Sequence, residues 1–192
     1  MSIFSIVGPI VAALGFTPYI IQTYKGVLKP RIASWTTWSL VTAIATAAEF
    51  SNHDYVSAAF TGLATVPELI ILAMAFKKRD FDYNWIDAAS QLLSLIGIIF
   101  WLTSHNPEWA VIATIGADFF GAVPTFYHAW LSPHNEAWLP FLISAIGAGI
   151  SLLAIRNIGI VAAGFPIYLL LIDISLSLTI FFRQKISKTI IV

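Results

Sequence analysis

Two stretches of this chain repeat one another. Gly15-Phe16-Thr17-Pro18-Tyr19 runs through Lys29-Pro30 to Ala33-Ser34-Trp35, and Gly121-Ala122-Val123-Pro124-Thr125 runs through Ser132-Pro133 to Ala137-Trp138. Gly15 and Gly121, Pro18 and Pro124, and Phe76 and Phe182 each stand 106 positions apart, with a loop three residues shorter in the second copy. A duplicated helical unit folds into pseudo-symmetric halves. In a membrane chain such halves point to a transporter, because they can rock about a central site.

Composition sets the solvent. Of the 192 residues, 58% are hydrophobic and 10% charged, where a soluble domain carries roughly 25% charged residues. An all-α integral membrane protein is expected, with room for seven spans of about 20 residues and no soluble catalytic domain. The first apolar run has no basic leader or small-residue cleavage site, so it is expected to be a retained helix. The absence of cysteine excludes disulfides and thiolate metal sites.

Apolar runs bounded by Lys, Arg, Asn, Asp and Pro predict spans at 3–24, 33–50, 55–76, 85–103, 109–130, 137–155 and 159–182. Lys25, Lys29, Arg31, Lys77, Lys78, Arg79, Arg183, Lys185 and Lys188 fall on one side of these spans, and Arg156 alone falls on the other. The positive-inside rule then places the N-terminus outside and the C-terminus in the cytoplasm of a prokaryotic cell membrane. Spans one to three (1–80) and five to seven (106–192, with a short tail) are the repeats, and span four (81–105) is the linker that restores parallel orientation. The expected fold is therefore seven transmembrane helices as two parallel three-helix repeats joined by a single linker helix, 3+1+3.

This layout, with Gly-x-x-Pro late in the first helix of each repeat and a second helix opening on Ser34-Trp35 or Ala137-Trp138, resembles the SWEET/PQ-loop (MtN3-like) superfamily of small membrane transporters. Tyr19 and Thr125 stand where PQ-loop proteins carry Gln. Pro18, Pro124 and Pro140 match three positions of the four-proline set of SWEETs, and Thr37 occupies the fourth. The resemblance implies alternating access between the halves, with polar residues of the third helices lining a central pocket.

Three carboxyls lie inside apolar spans: Glu68, Asp118 and Asp173. An Asp at a helix centre costs about 3 kcal/mol on insertion scales, so such groups face a bundle interior or a water-filled cavity and mark a substrate or ion path. Glu68 and Asp173 occupy near-equivalent places and are expected to face one another across the pseudo-axis. Asp118 has Ala12 as its counterpart, a feature of one half that suits coupling or specificity. No lysine or arginine is available at midplane, which favours a neutral, protonated or cation-bound state. The alternative is that each is a packing residue held by Ser, Thr or Gln neighbours.

Pro18 and Pro124, with Gly15 and Gly121 three residues earlier, are the expected hinges. Trp38 and Trp138 suit the wall of a pocket for a ring-shaped solute, and Thr17 and Thr125 join the expected pathway. Trp85, Trp101, Trp109 and Trp130 read as interfacial anchors. His128 near a span end reads as an interfacial hydrogen-bonder that could sense protons. Asp87 and Glu49, close to span ends, are expected to reach water. Gly147 and Gly149 hint at close packing within or between chains, which leaves a homo-oligomer open.

The seventh span has no lysine for a retinal Schiff base, and no HExxH, GxSxG or phosphate-cradling glycine loop appears, so an enzyme is not expected. The expectation is a transporter of a small polar solute, such as a sugar, vitamin precursor or amino-acid-like molecule, with protons as a candidate coupling ion. It needs no cofactor or metal, and its partners are solute and bilayer rather than nucleic acid. The alternative is a non-transporting seven-helix receptor or membrane scaffold.

Overall fold

The computed structural model describes residues 2–51, 53, 55–78, 83–156 and 158–190. All its regular structure is helical: α1 (Phe4–Gly15), α2 (Thr17–Tyr24), α3 (Ile32–Ser51), α4 (Tyr55–Lys78), α5 (Trp85–Thr103), α6 (Pro107–Leu131), α7 (Trp138–Leu152) and α8 (Ile160–Ile190), with a 3-10 turn at Pro133–Asn135. Helices α1 and α2 form one span broken at Phe16. Four stretches are long and apolar enough to cross a membrane: Phe4–Tyr24, Trp85–Thr103, Pro107–Leu131 and Ile160–Ser187. The chain is thus a helical, multi-pass membrane protein.

Local chemistry explains the boundaries. Asn84 opens α5 by accepting from the Ile86 and Asp87 amides at 2.8 and 3.3 Å, and Asp87 accepts from the Asn84 amide at 2.8 Å. Asn106 caps α6 in the same way, with Pro107 filling the first position, where no amide proton is needed. Gly26 ends α2 with φ of 81°, a left-handed cap in which the Val27 amide donates back to the Gln22 carbonyl at 3.0 Å.

α3 packs along α4, α7 along α8, α5 along α6, and α1 along α7; α6 also meets α3 and α8, and α1 and α2 meet α4. The tightest crossing joins α1 to α7. A Cβ on Gly147 would come within 2.6 Å of the Gly8 carbonyl oxygen and 2.7 Å of the Ala12 nitrogen, so two backbones touch where a side chain would hold them apart. Gly147 therefore packs within the chain. Large apolar side chains such as Leu14, Leu92, Ile96, Leu102 and Leu171 face outward, the arrangement a lipid solvent requires.

The chain ends of α2, α6 and α8 and the starts of α3, α5 and α7 gather at one end of the bundle, here the basic end. There Lys78 donates to the Thr23 carbonyl, and Arg183 donates to the Trp130 carbonyl through Nε and an Nη at 3.1 and 2.8 Å. Both cations lie on carbonyls of the last turns of α2 and α6, at the negative ends of those helices. Arg79 lies outside the described residues.

Candidate functional site

The helices bring Glu68, Asp118 and Asp173 within electrostatic reach of one another. Each is held by a hydroxyl from a neighbouring helix. The Thr42 hydroxyl on α3 lies 2.6 Å from Glu68 Oε2 on α4. Tyr168 on α8 donates to Asp118 Oδ2 on α6 at 2.8 Å. Ser144 on α7 is the hydrogen-bond partner of Asp173 on α8. Asp118 and Asp173 are buried and Glu68 is partly so.

Thr42 Oγ1 also lies 3.0 Å from the Trp38 carbonyl oxygen. A hydroxyl has one proton, so it serves both acceptors at once only when the Glu68 carboxyl brings a proton of its own. Beyond Thr42, a ladder of hydroxyls continues away from the basic end, with Thr46 donating to Thr61 Oγ1 at 2.9 Å and Thr65 donating to the Thr61 carbonyl at 2.9 Å.

The carboxyl pairs match across the two copies. Thr42 with Glu68 joins the second and third helices of the first copy, and Ser144 with Asp173 joins those of the second. Both members of the second pair are displaced by one residue from the register of the flanking motifs, and they are displaced together. The hydroxyl and the carboxyl stay matched because the packing of α3 on α4 and of α7 on α8 fixes their relative height.

Towards the basic end, aromatic rings close the bundle below the carboxyls. Phe16, Tyr19, Trp35, Trp38 and Phe141 interlock with centroids 5.1 to 6.3 Å apart. Trp38 sits in this cluster, and Trp138 stacks edge-on against Phe181 at 5.3 Å. Thr125 is buried, whereas Thr17 faces outward. The register pairs Thr125 with Tyr19, not with Thr17, and positions 17 and 19 point to nearly opposite sides of a helix. Tyr19, not Thr17, is therefore the buried counterpart of Thr125.

The prolines behave differently in the two copies. At Pro18 the helix breaks, with the Phe16 amide donating to the Ala13 carbonyl at 3.2 Å. At Pro124 it runs on without interruption. The two glycines make reciprocal contacts. A Cβ on Gly15 would meet Ile143 Cγ2 at 2.6 Å and the Pro140 carbonyl at 3.5 Å, and one on Gly121 would meet Thr37 Cγ2 at 2.7 Å. Pro140 and Thr37 are equivalent positions in the two copies.

Two buried polar groups at the basic end escape sequence reasoning. Glu136, in the loop before α7, is 1% exposed; it accepts from the Tyr19 hydroxyl at 2.7 Å and lies 3.1 Å from His128 Nδ1. Asp87 does not reach water as expected from its place at a span end, because it is 1% exposed and ion-paired with Arg31. The side chain of Glu49 lies outside the described residues. Trp85, Trp109 and Trp130 are exposed near helix ends, and Arg183 stacks on Trp130 at 4.4 Å. Among the described residues no group of three or more His, Cys, Asp or Glu has the arrangement of a metal site.

No family model matches the chain, and no curated protein or solved structure matches it.

Proposed function

We propose that this chain is a membrane carrier of the SWEET/PQ-loop kind, in which two parallel three-helix repeats and a linker helix move a small polar solute by alternating access. The observation that carries the reading is exchanged packing. Gly15 of the first repeat seats on α7 of the second near Pro140, and Gly121 of the second seats on α3 of the first at Thr37. Gly15 lies closest to Ile143, with the Pro140 carbonyl 3.5 Å away, so each half grips the second helix of the other near its start, which supports a pseudo-two-fold arrangement. The matched pairs Glu68 with Thr42 and Asp173 with Ser144 support the same relation.

In this reading the repeats are 1–80 and 106–192, and 81–105 is the linker. The carboxyl cluster is the site of solute or proton recognition, with Asp118 its asymmetric member. The aromatic cluster closes the route on the basic side, and Pro18 and Pro124 mark where the first helices of the halves bend. The basic end faces the cytoplasm, with the N-terminus outside.

Thermal stabilisation of the purified protein tests this, with sugars, amino acids, nucleosides and vitamin precursors screened at acidic and neutral pH. A ligand that binds only the folded state raises its stability. A hit lost in Asp118→Asn supports the site; a hit of equal size in Asp118→Asn removes Asp118 from it. Saturable binding with no flux favours the receptor reading instead.

A further inference from the structure

The carrier reading leaves open what holds the basic end shut. Aromatic packing closes it, but apolar contacts slide. A directional contact between the halves lies just beyond the aromatic layer.

Tyr19 is fully buried on α2 of the first repeat, and its hydroxyl donates to Glu136 Oε2 at 2.7 Å, 117 positions away in the second. The other carboxylate oxygen lies 3.1 Å from His128 Nδ1 at the end of α6. The backbone of the same loop is held from two further directions. Gln184 on α8 donates to the carbonyls of Pro133 and Glu136, each at 2.9 Å, and the Lys29 amide donates to the Asn135 carbonyl at 3.0 Å. The loop is therefore held in place, and the Tyr19 to Glu136 contact is a side-chain hydrogen bond that crosses from one half to the other. A buried carboxylate stripped of water depends on such donors.

The arrangement occurs once. By the register of the duplication, Tyr19 corresponds to Thr125 and Glu136 to Ala33. Both counterparts are buried, but a threonine and an alanine cannot form a charged bond between them. One side of the pseudo-two-fold interface is tied by a carboxylate and the other rests on small side chains.

We infer that Tyr19, Glu136 and His128 form the latch of the basic end, and that release of the Tyr19 to Glu136 bond opens the route to the carboxyl cluster from that side. This rests on the carrier reading for its purpose but not for its mechanics, so the two fail separately.

The natural chain contains no cysteine, which makes thiol labelling a clean probe. Thr125→Cys places one thiol at a position 1% exposed, between the latch and the carboxyls. Its labelling by a water-soluble maleimide is followed in liposomes, alone and combined with Tyr19→Phe, Glu136→Gln or, as a control outside the latch, Arg183→Gln. The two latch variants are expected to label about tenfold faster than Thr125→Cys alone, the population shift from losing one hydrogen bond to a buried carboxylate. The Arg183→Gln protein is expected to match Thr125→Cys alone. Unchanged labelling in Tyr19→Phe, with its melting temperature preserved, overturns the latch. That variant removes one hydroxyl and keeps the ring, so it decides the matter even where Glu136→Gln fails to fold. Faster labelling without flux of any solute upholds the latch and sinks the carrier reading; unchanged labelling with flux intact sinks the latch alone.

Discussion

The crossing of α1 and α7 is where the structure makes its sharpest energetic demand. In Gly147→Ala the new Cβ stands 2.6 Å from the Gly8 carbonyl oxygen, 2.7 Å from the Ala12 nitrogen and 2.8 Å from the Ala12 Cβ. These neighbours are backbone or bonded directly to it, so relief requires the helices to separate. Overpacking of this kind costs about 1 to 3 kcal/mol, offset by about 0.5 to 1 kcal/mol of helix propensity gained on replacing glycine. Gly149→Ala, half a turn away, gains the same propensity and meets only Leu170 Cδ1 at 3.8 Å, an ordinary contact. The two variants are therefore expected to differ by about 2 kcal/mol. For a chain of this length that is about 4 to 8 °C in melting temperature, with Gly147→Ala the lower. Thermal unfolding in one detergent, followed by light scattering or intrinsic fluorescence, measures the difference directly. Equal melting temperatures would show that α1 and α7 do not cross at Gly8 and Gly147.

Other expectations follow from neighbouring contacts. Gly121→Ala brings a Cβ against Thr37 Cγ2, and Thr37→Ser removes that methyl, so a double-mutant cycle on melting is expected to give a coupling of about 1 kcal/mol; additive effects would separate the two positions. Arg31→Gln leaves Asp87 buried without its ion-pair partner and is expected to cost about 3 to 5 kcal/mol, whereas Arg31→Met with Asp87→Leu recovers all but about 1 kcal/mol for the lost bond from the Asn84 amide to Asp87; denaturation of the single and double variants shows which holds. Thr42→Ala and Ser144→Ala each remove the hydroxyl partner of a third-helix carboxyl and are expected to destabilise by about 1 to 3 kcal/mol, and by similar amounts; an effect confined to one copy would break the equivalence of the pairs.

Most of the helices were legible in the sequence because apolar runs end at chemically plain stops. Asn84, Asn106 and Gly26 each sit at a boundary for a reason visible in the residue itself. Span six is shorter than the expected 137–155, since α7 ends at Leu152, and α8 runs beyond the expected 182 to Ile190. Hydropathy does not see where a helix leaves its neighbours or outlasts the bilayer. The three membrane carboxyls stood out because a charge in an apolar run is costly and rare.

What stayed hidden depends on contacts between distant residues. Glu136 follows Ser132, Pro133, His134 and Asn135, a run that reads as a solvated loop; its burial comes from Tyr19, 117 positions earlier. Asp87 looked able to reach water because its partner, Arg31, stands 56 positions away. Tyr168 gave no signal beyond an apolar neighbourhood, and only the fold sets it against Asp118. Thr125 pairs with Tyr19 in the register set by Gly15 and Gly121, and that register separates buried Tyr19 from exposed Thr17.

A carrier of the proposed kind lets solute cross the bilayer through this chain. The most direct test is counterflow in liposomes: the protein is reconstituted, the vesicles are loaded with a solute that stabilises it, and entry of labelled solute is followed. Uptake is expected to be saturable, to exceed that of protein-free vesicles, and to be lost in Asp118→Asn while that variant stays folded. A solute that binds and stabilises the protein but never crosses would contradict the carrier reading.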